Sequence, residues 1–128
     1  MPEPSADLPV SQRTIDQRNL HPLKTPLNIK YADIGVAATK VEGGFEAGKA
    51  MVFDAWTGLH TRGLTPENKK AGDVMLANFA YFTANNAVRA ENDLTEEAKF
   101  TPEQIEEANR RAYDIDIELR EEFQKTRG

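Results

Sequence analysis

Apolar side chains crowd between Phe45 and Val88 and thin out elsewhere, and their spacing predicts two helices joined at Arg62, Gly63 and Leu64. In the first, Phe45, Val52, Trp56 and Leu59 recur at steps of seven, four and three, a helical face. Gly48 and Gly58 interrupt it, each costing up to ~1 kcal/mol relative to Ala, unless a buried glycine lets another helix approach closely. Gly63 suits the left-handed position after a helix end. Thr65, Pro66 and Glu67 then open the second helix: a capping hydroxyl, a first-turn proline and a carboxylate near the positive helix end. From Val74 to Phe82 this helix is apolar on nearly every side, so it is expected to be covered partly by another chain.

A third helix is predicted from the Thr101-Pro102-Glu103-Gln104 start, a capping box, to about Gln124. Ile105, Ala108, Ala112, Ile115, Leu119 and Phe123 form its narrow apolar stripe. Glu106 with Arg110, Glu107 with Arg111 and Glu121 with Lys125 are spaced for i,i+4 pairs, each worth only ~0.2–0.5 kcal/mol.

The stretch before these helices reads differently. Five of the seven prolines lie between Met1 and Tyr31, where polar residues dominate. Proline removes a backbone donor and pushes its predecessor toward extended geometry. This segment is expected to be an extended arm, with Leu20, Leu23, Leu27, Ile29 and Tyr31 anchoring it along a partner subunit. The alternative for Met1 to Asp7 is a disordered tail. Asp33 to Thr39 is expected to be a short helical turn or a loop, closed by Gly43 and Gly44. The fold class is therefore all-α: a small bundle of three main helices with a long N-terminal arm, divided as 1–31 and 32–128.

Length and charge narrow the function classes. With 128 residues the chain suits one domain. A net charge of −5 argues against a nucleic-acid binder, which needs a basic footprint. There is no Cys, so thiolate catalysis and Cys-ligated metal sites are excluded within the chain. The first ten residues lack the basic and apolar regions of a secretory signal. No run approaches the ~20 apolar residues that span a bilayer. The expected location is the cytoplasm.

The candidate chemistry is sparse. His21 and His60 are far apart and no His-Glu-x-x-His occurs, so neither is assigned a metal. Glu96, Glu97, Glu103, Glu106 and Glu107 cluster in sequence but lack the Glu-x-x-His pairs of di-iron bundles. Ser5 and Ser11, the two serines, lie in the arm, and no phosphate-loop pattern is present. A protein that depends on a partner is the expectation.

Several segments together suggest which partner. Asp33-Ile34-Gly35, the run Phe53 to Gly63, the Leu64-Thr65-Pro66-Glu67 start, Met75-Leu76 with Phe79 to Phe82, and Ala90 to Glu97 follow one another in order. The run Phe45 to Ile105 resembles the helical N-terminal part of the β-type subunit of nitrile hydratase and thiocyanate hydrolase. The resemblance implies a subunit without metal ligands that closes the pocket of an α-type partner, whose cysteine cluster holds cobalt or iron. It also implies a further β-barrel subunit, since that barrel follows the helices in the family and this chain ends before it. Trp56, Tyr81 and Phe82 would help wall a pocket for a nitrile-type substrate. Lys70 stands nearest the position of a family arginine that donates to oxidised cysteine oxygens. Here the chain departs from the pattern, because an ammonium cannot copy the bidentate guanidinium fork. Two alternatives remain: a maturation chaperone that resembles the β-type N-terminal region, and a structural assembly protein such as a phage component.

Overall fold

Three helices open with the same local device. In the computed structural model, which describes residues 13 to 127, Thr25-Pro26-Leu27-Asn28, Thr65-Pro66-Glu67-Asn68 and Thr101-Pro102-Glu103-Gln104 each begin a helix. The threonine hydroxyl oxygen accepts from the backbone N–H three residues on, at 3.1 Å for Asn28, 3.1 Å for Asn68 and 3.2 Å for Gln104. Proline fills the first position, where no intrahelical donor is needed. Gln104 completes its box by accepting from the Thr101 N–H at 2.9 Å. Asn28 and Asn68 instead send their side-chain amides backward, to the carbonyls of Leu23 and Gly63, both at 2.8 Å. These bonds brace the loops that lead into the helices.

The described residues form five helices: α1 (Gln17–Leu20), α2 (Pro26–Ala38), α3 (Gly44–Thr61), α4 (Pro66–Glu91) and α5 (Pro102–Arg127). The three expected main helices are α3, α4 and α5. Pro26 to Tyr31, expected to be extended, is instead the start of α2. Read as a chain-stiffening residue, Pro26 suggested an arm, but behind the Thr25 cap it is a first-turn residue. Asp33 to Ala38, expected to be a single turn or a loop, continues the same helix. Met1 to Gln12 of the expected arm lie outside the described residues.

The chain divides into two compact units within α4: Asp16–Phe79, and Ala80–Gly128 with the residues before Asp16. In the first unit, glycines set the helix contacts. A Cβ at Gly35 of α2 would overlap the Met75 carbonyl oxygen of α4, and a Cβ at Gly48 of α3 would overlap the Ala38 carbonyl oxygen of α2. Bare backbone there lets α2 lie directly on α3 and α4. Phe79 stacks on Phe45, with ring centroids 5.6 Å apart. Val74, Met75, Leu76 and Phe79 are all fully buried. Residues 74 to 80 of α4 are thus covered within this chain, while Tyr81 is half-buried and Phe82 exposed.

In the second unit, α5 buries Ala108, Ala112, Leu119 and Phe123 as its stripe predicts, and adds Tyr113 and Ile117. Ile105, the first residue of the predicted stripe, is exposed. Ile15 is buried here, its N–H donating to the Asn109 carbonyl at 3.3 Å, and Arg13 pairs with Asp114 at 3.6 Å. Arg13 and Ile15 of the expected arm therefore lie along the chain's own α5. Arg89 organises the connection from α4 to α5. Its guanidinium donates to the carbonyls of Thr95 and Ala98 at 2.9 and 2.8 Å and sits 4.5 Å from the Phe100 ring centroid.

Arg111 ties α5 to α4 through Glu91, at 2.5 and 2.7 Å, and pairs with Glu107 at 2.8 Å. Glu107 also takes Arg110, so the expected partnership of Arg110 with Glu106 is replaced by an i,i+3 pair. The hydrogen bonds from Arg111 hold the Glu91 and Glu107 carboxyls below the usual glutamate range. A carboxylate with a depressed folded-state pKa contributes stability above its unfolded value and loses it as pH falls through the folded one. Wild-type protein is therefore expected to lose thermal stability below about pH 4.5 more steeply than an Arg111→Gln variant. Melting curves between neutral and strongly acid pH check this, and parallel curves would refute it.

Candidate functional site

Four residues carry the expected site: Trp56, Tyr81 and Phe82 as pocket wall, and Lys70 near the partner's metal. Trp56 and Lys70 belong to the Asp16–Phe79 unit, and Tyr81 and Phe82 to the other.

Trp56 lies half-buried on α3. Its ring meets His60 edge-on, with centroids 5.8 Å apart and an interplanar angle of 72°. The space over its indole exists because residue 72 is glycine: a Cβ there would come within 2.8 Å of the Trp56 Nε1. Gly72 sits on the buried side of α4. Trp56 is thus an α3–α4 packing residue, and only part of its surface is open.

Lys70 stands on the second turn of α4 with its ammonium already engaged. Nζ donates to the Asn19 Oδ1 at 2.7 Å and to the Arg18 carbonyl at 3.4 Å. It therefore fastens the short helix α1 to α4. Asp16, the cap of α1, accepts from the Arg18 backbone and side chain. Those bonds from Arg18 keep the Asp16 carboxyl below its ordinary value. Lys70 was singled out for its place in a resemblance. Its contact with α1 spans 51 residues and has no local sequence signal.

Tyr81 and Phe82 are consecutive on α4 and meet edge-to-face, with centroids 5.3 Å apart at 86°. Tyr81 is half-buried, while Phe82 is 36% exposed.

Among the described residues, no group of three His, Cys, Asp or Glu side chains is close enough to hold a metal ion. The buried polar residues serve the fold: Asn28 braces the loop before α2, Asn78 donates to the Val74 carbonyl at 2.9 Å, and Asp116 accepts from Arg120 at 3.0 Å. No helix among these residues is long and apolar enough to cross a membrane.

The fold and these surfaces define a small all-α protein with two braced loops, before α2 and before α4, that hold large aliphatic side chains in solvent. No protein-family model, curated protein or solved structure matches the chain.

Proposed function

We propose that this chain is a metal-free helical subunit that works docked on a metal-bearing partner, in the manner of the β-type subunits of nitrile hydratase and thiocyanate hydrolase. The α3–α4 hairpin carries the reading. Its turn at Arg62 and Gly63, its Thr65-Pro66 start and its Tyr81-Phe82 pair stand on the residues that resemble that family's first two helices. In this reading the partner's cobalt or iron polarises a C≡N group or activates water. Tyr81 and Phe82 supply apolar wall to the partner's pocket. Lys70 and Trp56 support the hairpin, Lys70 by holding α1 and Trp56 by packing on Gly72. The surroundings of Lys70 suit this supporting task better than a direct role at the partner's metal.

Co-expression with the adjacent genes tests the reading. A cobalt- or iron-containing chain, with a β-barrel subunit, is expected to co-purify in fixed stoichiometry. Phe82→Ala is expected to lower turnover of a nitrile by roughly tenfold while leaving the metal content of the complex unchanged. Purification of this chain without any metal-bearing partner would end the proposal.

A further inference from the structure

Two of the braced loops hold an aliphatic side chain out into water. Leu23 is 83% exposed and Leu64 is 61% exposed. Here the backbone is held: Asn28 bonds the carbonyl of Leu23 itself, and Asn68 bonds the carbonyl of Gly63, next to Leu64. Arg62 and Lys69 flank Leu64, and Lys24 follows Leu23. None of these three cations makes an ion pair among the described residues. Each loop presents an exposed aliphatic side chain within a few residues of a cation that makes no ion pair among the described residues.

The other unit offers the complement. Asp16–Phe79 has eight Lys and Arg against seven Asp and Glu, a net of +1, whereas the remainder has eight against fourteen, a net of −6. On the first turns of α5, Ile105 is 49% exposed, with Glu103 and Glu106 exposed on the same turns. Because Arg110 turns to Glu107, Glu106 makes no ion pair among the described residues, and neither does Glu103.

We infer that the chain associates with a second copy of itself, the Leu64 loop of one copy docking beside Ile105 on α5 of the other, with Arg62 and Lys69 facing Glu103 and Glu106. Charge complementarity selects this occupant, because the acidic, part-apolar surface that the Leu64 loop requires is present on the chain itself. The inference concerns the isolated chain, so it stands or falls separately from the docked-subunit reading.

Sedimentation velocity on the full chain tests it. Self-association is expected at micromolar to millimolar concentration, weakening about tenfold between low and high salt as screening shortens the reach of the charges. The Leu64→Asp variant, checked for an unchanged helical spectrum, is expected to associate at least tenfold more weakly. The double variants R62E/K69E and E103K/E106K are each expected to remain monomeric alone and to associate when mixed. A wild-type chain that stays monomeric across that concentration range overturns the inference. So does association that neither double variant weakens, or a mixture that fails to recover it.

Discussion

Replacing Gly48 with alanine is expected to destabilise the protein by about 2 kcal/mol or more, although alanine is the better helix former by up to ~1 kcal/mol. The sign follows from what the new methyl group meets. A Cβ at Gly48 would overlap the Ala38 carbonyl oxygen and come within 2.9 Å of the Phe79 Cε1. A ring can move, but the Ala38 carbonyl is backbone at the last residue of α2 and retreats only if the end of that helix shifts with it. Helix α2 would therefore have to withdraw from α3, opening the packing around Ala38 and Val52, both almost fully buried. Gly58 on the same helix supplies the control, since a Cβ there meets nothing within 4 Å. Gly58→Ala is expected to stabilise by up to ~1 kcal/mol, the propensity term alone. Urea titrations with unchanged slope would show the two midpoints moving in opposite directions. Equal shifts of the same sign would mean that α2 does not lie on bare backbone at Gly48.

That contrast also marks what can be read from a sequence. Both glycines interrupt the same predicted helix, and the general argument for close approach applies equally to each. Only the neighbouring helix separates them, and α2 was the element hidden by its prolines. Thr25-Pro26-Leu27-Asn28 carries the same start signal as Thr65-Pro66-Glu67-Asn68, so α2 was legible by comparison with the later start. A proline-rich context outweighed it. The ends of α3 and α4 and the capping box of α5 were readable because their signals are local: a left-handed Gly63, a threonine cap and a glutamine three residues on. The covering of α4 was not. Its all-round apolar segment implied burial, and burial occurs as far as Ala80, but a one-dimensional pattern does not say which chain does the covering or where it stops. The roles of Lys70 and Arg89 were hidden for a related reason. Lys70 reaches a residue 51 positions away, and Arg89 captures two carbonyls of a loop whose path no side-chain pattern encodes.

Truncation of Phe79 is expected to have the largest effect of any single core substitution in the Asp16–Phe79 unit. The side chain is fully buried, stacks on Phe45, and is the largest of the fully buried set. Phe79→Ala removes its transfer free energy and leaves a cavity, together about 3–5 kcal/mol. A domain of ordinary stability holds only ~5–15 kcal/mol in total, so the variant is expected to melt roughly 10–20 °C lower. Phe79→Leu keeps most of the volume and should lose about 1–2 kcal/mol. The double variant with Gly48→Ala separates two accounts of the glycine. If the Phe79 ring were the main obstacle to a methyl group at position 48, deleting the ring would rescue the alanine by a kcal/mol or more. The Ala38 carbonyl remains after the ring is gone, so the two losses are expected to add within about 0.5 kcal/mol. Strong positive coupling would place the constraint in side-chain packing. Near-additivity would place it in the backbone contact between α3 and the end of α2.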